Sequence, residues 1–224
     1  MRHPNFLGFC LLLVVSPQPV RADDKEQKAL DAIKELGGKF ERDDKAAGKP
    51  VRAVTLRGAE VTDETLAHVK LFTKLQKLDL QESKVTDDGL EALNGLNELQ
   101  ELQLSSSQVN GTGLEHLKKL PKLRKLVLGG EQVTDKTLSE LKNFTKMEEL
   151  GLVNTSASDE VLKDLKGLKN LQLLSLYGTP VTDEGLRQLK GHAKLKLLYL
   201  GSTKVTDKGA AELQKALPEV QMFR

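Results

Sequence analysis

The sequence has no tryptophan, two tyrosines and six phenylalanines in 224 residues. Any core it builds must therefore be aliphatic. The single cysteine, Cys10, excludes an intrachain disulfide, so stability has to come from packing. No glycine-rich phosphate loop and no Ser–His or Cys–His signature is present. Beyond the first 22 residues the histidines are His68, His116 and His192, with no cysteine to join them at metal-ligand spacing. Neither an enzyme, nor a metal, nor a cofactor is expected. Long hydrophobic runs are missing too. Residues 6–15 form an apolar run of ten, about half of the ~20 residues that a membrane-spanning helix needs.

That run follows Arg2 and His3 and precedes Val20-Arg21-Ala22, which is the pattern of a secretory signal peptide over residues 1–22 with cleavage after Ala22. Cys10 does not look lipid-modified, because Phe9 precedes it and the apolar run continues past it. A secreted or periplasmic chain without membrane insertion is expected. Removing the leader takes away Arg2 and Arg21 from 34 basic side chains and none of the 32 acidic ones, so the remainder is neutral. Its charge balance does not call for a nucleic acid.

What is present is a repeat. The pattern Val-Thr-Asp recurs every 24 residues, opening at Val61, Val85, Val109, Val133, Ala157, Val181 and Val205. Two openings depart from it, Val109-Asn110-Gly111 and Ala157-Ser158-Asp159. With positions numbered from the opening residue, 6, 9, 12 and 15 are apolar in nearly every unit, and 18 and 20 are leucine in the first six. Spacing by three suits a helical turn, and spacing by two suits a strand. The aspartates at position 3, Asp63, Asp87, Asp135, Asp159, Asp183 and Asp207, fall where helix N-caps belong. A calcium ladder would instead need a glycine-rich nonapeptide period. Each unit reads as cap, short helix, turn and short strand.

The stretch Leu75-x-x-Leu78-x-Leu80-x-x-Ser83-x-Val85 resembles the leucine-rich repeat. The family's Asn/Cys slot holds Ser83, Ser107, Glu131, Thr155, Thr179 and Thr203 here. The resemblance implies that these hydroxyls bond the turn after each strand, and Glu131 departs from it. The form from Thr179 to Leu186 is similar to secreted bacterial leucine-rich repeat proteins and to the cysteine-containing repeats of F-box proteins, with Thr for Cys. It implies an α/β solenoid, a horseshoe with a parallel concave sheet of about eight strands and short convex helices, over residues 51–224.

Residues 24–36 carry Ala29, Leu30, Ile33 and Leu36 on one helical face before Gly37-Gly38. Residues 39–42 are a candidate strand. Residues 23–50 thus form an N-terminal cap over the open core end. At the other end, Leu217-x-x-Val220-x-Met222 looks like the strand motif two residues early, as in a terminal cap. His68 and His116 share an exposed helical position, and His192 takes a core position as a partly buried, hydrogen-bonded residue. Asn110, Asn143 and Asn154 stand in glycosylation sequons.

Positions 17, 19 and 21 alternate with the core leucines and must line the concave face. They are polar in the early units. In the later ones they include Val127, Val153, Leu173, Tyr177, Leu197 and Tyr199, which gathers both tyrosines of the chain on one surface. Aromatics favour interfaces, so these six residues are the candidate site for a protein partner. The expected function is a secreted, monomeric, non-catalytic protein-interaction scaffold. The rivals are a substrate-receptor-like subunit, as the F-box resemblance suggests, and a structural envelope component.

Overall fold

The computed structural model describes residues 22–224. The leader reading of residues 1–22 therefore lies outside the described residues, Ala22 apart. The chain opens with α1 (Ala22–Glu35), followed by β1 (Lys39–Arg42) and β2 (Val51–Thr55). The repeats then supply β3 (Lys77–Asp79), β4 (Glu101–Leu104), β5 (Lys125–Gly129), β6 (Glu149–Val153), β7 (Leu173–Ser175), β8 (Leu197–Tyr199) and β9 (Gln221–Phe223). All nine strands lie in chain order in one open sheet.

From β2 to β9 the pairing is parallel, and every residue meets the one 24 positions later. The row Ala53, Lys77, Glu101, Lys125, Glu149, Leu173, Leu197, Gln221 runs straight across the sheet. These are the eight strands expected from the repeat. The ninth is β1, which pairs antiparallel with β2 and covers that edge. The last strand corrects the two-residue shift: Met222 pairs with Leu198 and Phe223 with Tyr199, so the 24-residue period is kept. Val220 and Leu217 are buried as filler beneath the strand entry.

The return segments are short. The α-helices are α2 (Asp63–Val69), α3 (Leu114–Leu117), α4 (Asp159–Asp164), α5 (Asp183–Arg187) and α6 (Asp207–Ala216). Residues 88–93 and 139–143 are 3-10 helices, as apolar spacing by three favours, since a 3-10 helix has three residues per turn. Strands stack about 4.8 Å apart and helices about 8–10 Å apart, which makes the sheet the concave side. Between the layers runs one continuous apolar core, mostly leucine with Phe72 and Phe144, from Ala29, Leu30 and Ile33 of α1 to Val220.

After each strand the chain turns through a left-handed residue at position 22: Glu82, Ser106, Gly130, Asn154, Gly178 and Ser202. The hydroxyl that follows holds the turn. Ser107, Thr179 and Thr203 each donate to the carbonyl three residues back at 2.7 Å, and Ser107 accepts the Val109 N–H at 3.3 Å. Where Glu131 breaks the pattern, the next residue compensates: Gln132 Nε2 donates to the Ser107 and Val109 carbonyls.

The position-3 aspartates do not cap their own helices. The caps are one residue earlier, at Thr62, Ser158, Thr182 and Thr206. All but the last, Asp207, which pairs with Arg224, instead reach into the following unit. Asp63 accepts from both the N–H and the hydroxyl of Thr86, at 2.8 and 2.7 Å. Asp135 holds Ser158, Asp159 holds Thr182 and Asp183 holds Thr206 in the same way. Thr182 and Thr206 also accept an N–H of their own helix, so one hydroxyl links two units. Sequence reading missed this because a cap at Thr and a cap at Asp differ by one position.

The clamp explains position 5. A Cβ at Gly89, Gly185 or Gly209 would collide with the carboxylate of Asp63, Asp159 or Asp183. Where no preceding aspartate exists, position 5 is threonine. Thr65 and Thr137 accept the N–H of Thr62 and Thr134, at 3.2 and 3.1 Å. Thr137 follows the unit whose position 3 is Gly111. Nothing in the structure explains Val161 at the same position.

The Thr206 hydroxyl, then its N–H, hold the Asp183 carboxyl below its ordinary value of 3.8, against desolvation and with help from Arg187 and Arg224. A depressed folded value means stability that is present above about pH 4 and lost as the pH falls through the lower folded value. Thermal melts followed by circular dichroism are expected to hold steady from about pH 7 to 5 and to drop below about pH 4. Asp183→Ala should start lower and lose less on acidification.

His192 is buried rather than partly exposed, at 1%. Its ring nitrogens face the carbonyls of Leu165, at 3.0 Å from Nε2, and Leu189, at 3.3 Å from Nδ1. It therefore spans two units at a position that is Leu or Phe elsewhere. His68 and His116 are half-buried on the convex side.

Candidate interaction face

Three rows of side chains cross the concave surface, one each from positions 17, 19 and 21. In the early strands they pair with one another. Lys77 meets Glu101 at 2.6 Å, and Lys125 meets Glu149 at 2.7 Å. Arg57 Nε donates to Asp79 at 2.9 Å, and Gln81 donates to Ser105 at 2.7 Å. Asp79 holds Arg57 above its ordinary guanidinium range, first by hydrogen bonding and then by charge. Such exposed pairs contribute about 0–1 kcal/mol each. They satisfy that half of the surface without committing it to anything.

From Val127 onward apolar side chains enter the rows, with position 17 following only at Leu173, and they lean toward the next unit. The Val127 methyls lie 3.0 and 3.2 Å from where a Cβ of Gly151 would stand. The Tyr177 ring lies 2.8 Å from the same point on Gly201. Only glycine leaves room for these overlays. Tyr199 stacks on Phe223, with ring centroids 4.8 Å apart and planes 15° apart. Such a pair contributes about 0.5–1.5 kcal/mol beyond its area. Val127, Val153, Leu173, Leu197 and Tyr199 end up half-buried, while Tyr177 keeps 47% of its surface and Phe223 46%. All six residues singled out in the sequence therefore lie on one face, but only Tyr177 is fully presented.

Phe223 is the member that sequence reading left out. The signal for it was the unbroken 24-residue count, which carries Tyr199 to Phe223; the apparent early motif at Leu217 and Val220 hid it. Among the described residues no three His, Cys, Asp or Glu side chains converge as metal ligands would. No helix among them is long and apolar enough to cross a membrane.

Two comparisons bear on the architecture. A family model described as leucine-rich repeat matches residues 73–133. Among solved structures, an internalin (InlF) from Listeria monocytogenes superposes with a TM-score of 0.53 at 19% identity, over 70% of this chain and 50% of that one. The chain is a leucine-rich repeat solenoid. An internalin C2 from the same organism superposes with a TM-score of 0.50, also at 19% identity, over 77% of this chain and 80% of its own. The solenoid thus spans half the length of the first of these internalins. At such identities the likeness is one of fold. A search of curated protein sequences finds no match.

Proposed function

We propose that the solenoid is a secreted, non-catalytic interaction scaffold that binds a protein partner on the concave face of its last five strands. The observation that carries this reading is the exposed Tyr177 ring beside the Tyr199–Phe223 stack, set among Val127, Val153, Leu173 and Leu197. Rigid aromatic side chains lose little entropy on contact and commonly anchor interfaces. A parallel sheet with one fixed register presents them without reorganisation. The paired charges of the early strands would form the polar rim of such a contact.

The test compares residues 22–224 with the Tyr177→Ala/Tyr199→Ala variant by affinity capture from envelope extract of the source cell, with melting curves as a control for folding. The expected outcome is a protein enriched by the wild type and lost from the variant. Equal capture by both would place the contact elsewhere. A structural envelope role predicts a different result, concentration-dependent oligomers that the double variant leaves intact.

A further inference from the structure

The two rims of the solenoid differ in charge. On the rim where units open, the aspartates are tied by the inter-unit clamps. On the opposite rim, where helices end and strands begin, residues 142–146, 166–170 and 190–194 hold two lysines each and no acid. These six, Lys142, Lys146, Lys166, Lys169, Lys190 and Lys194, are all exposed. None of them has a carboxylate partner among the described residues. Three rest on uncharged oxygens instead: Lys146 on the Pro121 carbonyl at 2.8 Å, Lys169 on the Gly191 carbonyl at 3.5 Å and Lys194 on the Asn170 side chain at 2.7 Å.

A lysine near a helix C-terminus offsets the helix dipole, which accounts for one lysine per unit. The second row lies past the helices and has no such reason. Consecutive units repeat at spacings of about 5 Å on the strand side to about 10 Å on the helix side, no more than about a Debye length at ordinary salt, so the amines reinforce one another. The result is a narrow line of positive charge parallel to the solenoid axis. At its C-terminal end opens a recess of about 790 Å³. Ala193, Leu195 and Leu197 contribute its apolar lining, Lys194, Lys196, Gln172 and Gln221 its amines and amides, and Glu219 one carboxylate.

We infer that this rim binds a linear acidic polysaccharide. A line of amines matches a chain that carries an acid group at regular intervals. The recess offers what a sugar ring needs: leucine for its C–H face, the amides and the Glu219 carboxylate for its hydroxyls, and two amines, Lys194 and Lys196, for its acid. Nucleic acid fits less well, because Phe144 and His192, the rings within these segments, are buried and unavailable for base stacking, and no arginine is among the six. A membrane surface fits less well, because no large exposed apolar side chain lies among these lysines to enter it. The inference is independent of the concave-face reading.

The experiment measures binding of residues 22–224 to dextran sulfate and polygalacturonate, with neutral dextran as the blank, over a salt series. One variant changes the six lysines to glutamine. A control variant changes Lys84, Lys136, Lys204 and Lys208 on the other rim. All the positions are exposed or at a surface turn, and circular dichroism confirms folding. The expected result is binding of both acidic chains and not of the blank. The rim variant should bind about 10-fold more weakly with a flatter salt dependence, and the control should match the wild type. No binding by the wild type, or equal loss in both variants, would overturn the inference. So would tighter binding of a short DNA duplex or of phosphatidylserine vesicles than of either polysaccharide.

Discussion

Asp87→Ala is expected to lower the free energy of unfolding by about 3 kcal/mol, while Asp87→Asn should cost about half of that. The difference follows from which oxygen does what. Asp87 Oδ1 accepts the Gly113 N–H at 2.6 Å and the Gly111 N–H at 3.1 Å, and Oδ2 accepts the Asn110 N–H at 2.8 Å. The aspartate is buried, with 9% of its surface exposed, and serves three backbone donors of the next unit. Alanine leaves all three without their acceptor. Asparagine keeps the Oδ1 pair and turns an amide toward the third. Gly111 sits at φ 104°, a backbone conformation open to glycine, and that conformation is what gathers the three donors. The irregular opening Val109-Asn110-Gly111 is thus a second way of building the same clamp. Equilibrium urea unfolding of the three proteins, with a common slope, checks the ranking.

The second large effect is Gly89→Ala. A Cβ there meets the Asp63 carboxylate, which has to shift and weaken its bonds to Thr86; Val161, beside the intact Asp135–Ser158 clamp, is the one case that combines a side chain at this position with the clamp. Two charge-assisted hydrogen bonds place the expected loss at about 2–4 kcal/mol. In an Asp63→Ala background the collision no longer exists. Alanine is also the better helix former there, by up to about 1 kcal/mol. The same glycine substitution should then be neutral or slightly stabilising. A double-mutant cycle therefore returns a coupling of at least about 2 kcal/mol between residues that do not pair in the usual sense. Additive effects would mean that glycine is present for backbone reasons alone and that the clamp carries little energy.

Much of this architecture was legible before any coordinates. Leu78 and Leu80 two apart, and Leu66 and Val69 three apart, identify strand and helix halves because the two backbones have different periods. The 24-residue count fixes the register of the parallel strands. The hydroxyls Ser107, Thr179 and Thr203 were read correctly as turn holders. The clamps were not, because Asp63 one residue after Thr62 fits a capping role as well as an inter-unit one, and local spacing cannot tell them apart. The trace was nonetheless present. Position 5 is glycine at 89, 113, 185 and 209, after units with aspartate, and threonine at 137, after Gly111; Val161, after Asp135, is the exception.

The candidate site was legible as a face and not as a surface. Alternation places Val127, Val153, Leu173, Leu197, Tyr177 and Tyr199 outside the core. It does not say whether a side chain then leans on its neighbour. Val127 lies over Gly151 and Tyr177 over Gly201 because those glycines leave the space. Tyr199 is partly covered by Phe223. The lysine rim escaped notice for a related reason. Net charge is close to zero, and its separation onto two rims becomes visible only when positions 10, 13 and 14 of successive units are stacked.

The most direct test of the proposed function places a photo-crosslinking residue at Tyr177 on the concave face and, in a second protein, at Lys163 on the convex helix α4. Both are exposed, so neither substitution disturbs the core. Irradiation in envelope extract of the source cell should yield a discrete protein adduct at position 177 and none at position 163. Adducts at 163 alone, or the same adducts at both, would contradict a concave binding face.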